Sequence, residues 1–299
     1  MGVSMQEIKE LRERTGAGVL DCKKALSKKD GDVEAAVEYL REKGIADAAK
    51  KSGRVAAEGM VNVKINENLN EGLIVEVNSE TDFVAKNDNF QDLVSNISEH
   101  IMNSDKKNVD SLLKEKWYDN ENKDVNTVLK EAIANIGENI NLRRFEKYTT
   151  DGFLHGYIHM NGKIGVLVDF AGEANDENLE IANNIAMHIA AKAPEYISRD
   201  TVSEEAIEKE KKIYKEQMLN EGKPEHIIDN IVDGKINKYF TQICLVEQEY
   251  VKDTDMTVGD LMENTDLEVN NFVRYELGEG IETEEEDFAS EVMAEVEKN

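Results

Sequence analysis

The side chains with the widest chemical range are few, and their spacing is wrong for catalysis. Five histidines, His100, His155, His159, His188 and His226, form no His-x-Glu, HExxH or triad arrangement. His155 and His159 lie four apart in a segment that reads as a strand, so they share a face about 13 Å apart and cannot chelate one metal ion. Cys22 and Cys244 lack ligand spacing and read as reduced thiols, which makes a cytoplasmic protein the expectation. Thr15-Gly16-Ala17-Gly18 is glycine-rich but lacks the Lys-Ser/Thr pair of a phosphate loop. No covalent or acid–base enzyme, no metal site and no cofactor are expected. Thr81-Asp82-Phe83-Val84 sets an aromatic side chain beside polar groups near the end of a β-branched run.

The elements around that run explain why it matters. Leu73 to Val77 is a β-branched stretch that reads as a buried strand breaking off at Asn78 and Ser79. Thr81 and Asp82 are good helix N-caps, and Phe90, Leu93, Val94, Ile97 and Ile101 follow at helical spacing. Phe83 and Val84 therefore fall at a strand-to-helix junction, where side chains are often offered to a partner. The same residues also fit a plainer role, with Asp82 as a helix cap and Phe83 filling local core.

Charge narrows the class of partner. The net charge of −27 is unevenly spread: residues 1–56 carry +2 and the rest −29. An acidic body argues against direct nucleic-acid binding, which draws its affinity largely from cations neutralising phosphates. No apolar run approaches the ~20 residues of a membrane span, and the first residues carry no basic-then-apolar targeting signal.

Three short helices are expected first, the opening one with a Ser4/Glu7 capping box, and Thr15-Gly16-Ala17-Gly18 as its break. Ala48 to Arg54 reads as a mobile basic connector. A core of two α+β halves with small antiparallel sheets follows. In the first half, strands at 60–65, 73–77 and 142–148 accompany helices at 87–102, 109–116 and 125–136, and Trp117 to Asn126 reads as an exposed loop. In the second, a hairpin turns at Asn161-Gly162, the strongest turn signal in the chain. A helix spans 178–192. Segments 203–220 and 224–244 then form an antiparallel helical hairpin through Ile207, Tyr214 and Met218 against Ile227, Ile231 and Tyr239. A strand over 271–277 is expected to join the 153–170 hairpin. The division is 1–55, 56–148, 149–280 including the hairpin 203–244, and an acidic module 281–299 with a small helix through Phe288, Val292 and Val296.

Two stretches carry a family resemblance. Glu76 to Asn87, and Leu11-Arg12-Glu13-Arg14-Thr15-Gly16-Ala17-Gly18-Val19-Leu20-Asp21-Cys22-Lys23-Lys24-Ala25-Leu26, resemble the two signatures of the bacterial elongation factor Ts family in the expected order. Ile136 to Ile140, Ile164 to Val168 and Glu276 to Glu282 extend the resemblance over nearly the whole chain. It implies an amino-terminal module of the ubiquitin-associated type, a protruding helical hairpin, and a guanine nucleotide exchange factor that binds elongation factor Tu holding GDP. By resemblance, Thr81, Asp82, Phe83 and Val84 would dislodge the partner's Mg²⁺, with Phe83 as a wedge and Asp82 as a polar contact. Arg12, Val19, Leu20 and Lys23 would dock the amino-terminal module, Ile136 and Gly137 would touch the GTPase domain, and His159 and Val251 would meet the partner's third domain. Lys252 stands where the family commonly has an apolar residue. A homodimer within a complex is compatible with the hairpin. Competing expectations are a chaperone-like protein whose binding ignores nucleotide and a hydrolase using Asp82.

Overall fold

Ser4 opens the first helix as its spacing to Glu7 requires. Its Oγ accepts the Glu7 N–H, and the Glu7 carboxylate accepts the Ser4 N–H at 2.7 Å. The computed structural model describes residues 3–263 and 265–282. Helix α1 (Met5–Thr15) ends at Gly16, whose φ of 68° suits glycine, and α2 (Val19–Lys28) and α3 (Val33–Lys51) complete the bundle. Ile8, Leu11, Cys22, Ala25, Leu26 and Ala36 form its core.

The expected connector is not one. Residues through Lys51 continue α3, and Ala48 is buried in the core of the first half. Alanine pairs favour helix, and the last turn has a surface to pack on, which the charge pattern alone does not reveal.

The first half contains β1 (Glu58–Ile65), β2 (Glu71–Ser79), α4 (Asp82–Ala85), α5 (Asp88–Met102), α6 (Val109–Leu112), β3 (Lys116–Trp117), β4 (Asn120–Asp124), α7 (Val125–Ile136) and β5 (Ile140–Thr149). Its sheet is antiparallel in the order β1-β2-β5. Thr81 caps the four-residue α4 while Asn87 caps α5, so one expected helix start is two. The helix expected at 109–116 stops at Leu112. The supposed loop after it is the β3–β4 hairpin, and Trp117 is buried against His100 with ring centroids 4.9 Å apart. Local Asn and Asp content hid a tertiary contact.

The second half repeats the plan. It holds β6 (Phe153–His159), β7 (Ile164–Ala171), α8 (Asp176–Lys192), α9 (Glu204–Asn220), α10 (Glu225–Ile243), β8 (Glu249–Tyr250), β9 (Asp253–Thr257), α11 (Val258–Met262) and β10 (Glu268–Glu276). Its sheet runs β6-β7-β10, so the last strand joins the hairpin as expected. The α9–α10 hairpin is present, but its α10 stripe is Ile228, Val232, Ile236 and Phe240, one residue on from the expected set; Ile227, Ile231 and Tyr239 flank it half-buried. The acidic run and small helix expected beyond 282 lie outside the described residues.

The two sheets pack face to face. Along β2, Leu73, Val75 and Val77 point to the core under α5 and α7, while Ile74 meets Val61, Leu154, Leu167, Val273 and Tyr275 between the sheets. Gly165 permits the approach: a Cβ there would lie 2.4 Å from Val61 Cγ1. On the same face Glu76 is fully buried, yet it is matched. Its oxygens accept from Arg143 at 2.8 Å, Arg144 at 2.6 Å and the Gly278 N–H at 2.9 Å, joining the first half to the turn after β10. Burial opposes ionisation of Glu76, but the Gly278 amide and the two guanidiniums outweigh it and hold the carboxyl below its ordinary range.

Candidate partner-binding surfaces

Thr81 fixes the base of the junction. Its hydroxyl accepts the Val84 N–H at 3.4 Å and donates to Glu138 at 2.7 Å, while its own N–H reaches the same carboxylate at 3.0 Å. Glu80 accepts the Asn139 N–H at 2.6 Å. The short helix α4 is thus pinned to the turn that leads into β5. Val84 turns inward, 9% exposed, and joins the core of the first half. The neighbouring Phe83, about 100° further round a helix, points outward and is 80% exposed.

Polar groups frame that ring. Lys86 donates to Asp82 at 2.6 Å, and its ammonium lies 5.8 Å from the centroid of Phe83. The Lys86 bond holds the Asp82 carboxyl below the usual carboxylate range, with Lys163 of the second half adding to the effect. Thr81, not Asp82, caps the helix, which leaves Asp82 on the surface beside the ring. The plainer role for Phe83, filling local core, does not hold, because the ring lies at the surface.

The other sequence-selected residues fall into three places. Ile136 and Gly137 adjoin the junction: Gly137 ends α7 at φ 95°, its carbonyl accepts from Lys51 at 2.6 Å, and the next residue is the Glu138 that holds Thr81. Val19 and Leu20 start α2 on the outside of the bundle, 47% and 72% exposed, with Arg12 and Lys23 also at the surface. They do not build the bundle core. His159 and Val251, remote in sequence, line one groove of about 260 Å³ together with Tyr157, Met187 and Ala190.

That groove has a polar rim and an apolar floor. Tyr157 Oη lies 3.1 Å from His159 Nδ1, with the rings stacked at 5.9 Å. Lys252 does not block Val251, because its ammonium folds back to Asn184 Oδ1 at 2.8 Å. Sequence reasoning missed Met187 and Ala190; small and flexible apolar residues near the end of a helix were the available signal.

A larger cleft, about 570 Å³, lies between the bundle and α7, beside the contact of α3 with α7. Several cations on its walls are paired with acids: Arg41 and Lys123 meet Glu131, Lys43 meets Asp21, and Lys50 meets Asp47. Among the described residues no group of three or more His, Cys, Asp or Glu is arranged to hold a metal, and no helix is long and apolar enough to cross a membrane.

The family model described as elongation factor TS matches residues 80–279, which include Thr81 to Val84, β5, the sheet of the second half and the groove. The chain is 69% identical over 298 residues to Elongation factor Ts of Halothermothrix orenii (strain H 168 / OCM 544 / DSM 9562), covering all of both chains. It is 51% identical to Elongation factor Ts of Clostridium botulinum (strain Loch Maree / Type A3), covering 97% of each, and 48% identical to that of Clostridium novyi (strain NT), covering 97% of this chain and 98% of the other.

Proposed function

This chain belongs to the elongation factor Ts family of translation factors, and on that premise we propose that it binds elongation factor Tu holding GDP and speeds nucleotide release. The observation that carries the mechanism is the outward Phe83 ring on a turn whose base is fixed by Thr81 and Glu138. A GTPase retains GDP through phosphate contacts and an octahedral Mg²⁺, so displacing the elements around the ion loosens both. Phe83 enters between side chains of the GTPase domain, and Asp82 anchors it. Val84 acts from inside, holding α4 against the core.

Magnitudes require several contacts. Burying one aromatic ring against a partner yields about 2–3 kcal/mol, and each tenfold gain in release rate takes about 1.4 kcal/mol off the barrier. Phe83 alone therefore accounts for roughly a hundredfold. The Ile136–Gly137 turn, the outer face of α2 with Arg12 and Lys23, and the His159–Val251 groove supply the remaining attachment, the last to the partner's third domain.

Fluorescent GDP preloaded on elongation factor Tu provides the test. Release accelerates on adding this protein, and Phe83→Ala still binds but loses most of the acceleration. Release that does not change on adding the wild-type protein rejects the exchange reading. Full acceleration by Phe83→Ala rejects the wedge.

A further inference from the structure

Both halves bury a histidine whose Nδ1 accepts an N–H of the following hairpin, and the second lies beneath the groove. In the first half, His100 Nδ1 accepts the Tyr118 N–H at 3.3 Å and its Nε2 faces Glu115 at 3.3 Å. In the second, His188 Nδ1 accepts the Val251 N–H at 3.2 Å and its Nε2 lies 2.9 Å from Gln248 Oε1. The two histidines stand at the same place in their helices, counted from the caps Asn87 and Asn175. The surrounding hairpins also correspond: Lys116 pairs with Asp124 and Trp117 with Asn120, as Glu249 pairs with Thr257 and Tyr250 with Asp253. Val125 and Val258 donate to Glu115 and Gln248 through matching backbone bonds of 3.1 Å.

In the second copy every polar atom is assigned. Since Nδ1 accepts, the proton sits on Nε2 and is donated to Gln248 Oε1. The Gln248 amide nitrogen in turn donates to the Gln242 carbonyl at 2.6 Å, which fixes the direction of the amide. His188 is fully buried, and burial lowers its pKa, favouring the neutral ring that can accept. Val251 and Lys252 form the turn between β8 and β9, so the imidazole supplies the hydrogen bond for the leading N–H of that turn.

We infer that His188 is the positioning residue of the His159–Val251 groove, setting through this bond where Val251 stands against Met187 and His159 for the partner. The inference rests on the proposed function of that groove. The first half shows the buried histidine without the seat. Glu99 occupies the place of Met187, Met102 and Asn103 those of Ala190 and Ala191, and Lys64 bonds to Glu99 across the site.

The pseudo-equivalent histidine is an internal control. With elongation factor Tu carrying fluorescent GDP, release is followed as a function of the concentration of this protein. His188→Leu raises the half-saturating concentration about tenfold, the scale of one buried hydrogen bond, and leaves the limiting rate within about twofold. His188→Asn, whose Oδ1 takes the place of Nδ1, recovers most of the loss. His100→Leu removes an equally buried ring and leaves half-saturation unchanged. Circular dichroism and melting establish folding; if His188→Leu does not fold, Gln248→Leu replaces it and raises half-saturation about threefold. Equal effects of His188→Leu and His188→Asn, or an equal effect of His100→Leu, overturn the inference. If His159→Ala and Val251→Asp leave half-saturation unchanged, the groove reading fails and the inference falls with it. If those two raise it while His188→Leu does not, only the role of His188 fails.

Discussion

Between Glu76 and Phe83 the chain passes from full burial to 80% exposure, and the two side chains carry opposite expectations. Phe83 makes little contact with its own fold, so Phe83→Ala should leave the unfolding free energy from urea denaturation within about 0.5 kcal/mol of wild type, as surface substitutions do. A larger loss of stability would mean that the ring belongs to the core. Glu76 is different because its charge is matched by Arg143, Arg144 and the Gly278 N–H inside the molecule. Glu76→Gln keeps the shape but removes the charge-assisted bonds, and should cost about 2–3 kcal/mol at neutral pH by urea unfolding. The pH dependence has a definite sign. The folded carboxyl titrates below its ordinary 4.5, so its contribution is complete above that value and fades as pH falls through the lower folded value. The gap between wild type and Glu76→Gln should therefore narrow under acid. A constant gap from neutral pH to well below 4.5 would show that ionisation of Glu76 contributes nothing.

Elements were legible wherever local chemistry determines them. The Ser4–Glu7 box, the Gly16 stop, the helix ending at Gly137 and the Asn161-Gly162 turn all follow from side-chain and backbone preferences within a few residues. Three misreadings share another origin. Ala48 to Lys51 became a connector, Trp117 to Asn126 a loop, and the α10 stripe was placed one residue early, because each is settled by what packs against it. The candidate site divides the same way. Residues 81–84 are one contiguous run, whereas the His159–Val251 groove exists only after β6, α8 and the β8–β9 turn meet. The packed end of α3 makes its own prediction. A Cβ on Gly44 would lie 2.8 Å from Ala134 Cβ, so α3 and α7 touch there more closely than a side chain allows. Gly44→Leu should cost about 1–3 kcal/mol through overpacking and speed proteolysis near Ser52 to Arg54. Unchanged proteolysis and stability would mean that the contact between bundle and core is dispensable.

At the scale of the whole molecule, the wedge and the groove belong to different halves held by one inter-sheet core. Val61, Ile74, Leu154, Leu167, Val273 and Tyr275 fill that core, and Glu76 ties its edge to the turn after β10. A rigid body with two attachment surfaces can hold a partner at one while straining it at the other, because the separation is set in advance. On the proposed function, the groove sets how much protein is needed and Phe83 sets how fast nucleotide leaves once bound. Val251→Asp should raise half-saturation without lowering the limiting rate, while Phe83→Ala should lower the limiting rate with a smaller change in half-saturation. Strain delivered in this way has a thermodynamic counterpart. If this protein weakens GDP binding to elongation factor Tu by a given factor, GDP must weaken binding of this protein by the same factor. Titration calorimetry with nucleotide-free and GDP-loaded partner gives one ratio, and GDP affinity with and without this protein gives the other. For wild type the two agree and lie far from unity; for Phe83→Ala both move toward unity together. Were the wild-type ratio close to one, the protein would be binding its partner without regard to nucleotide, and the division of labour between wedge and groove would have no work to divide.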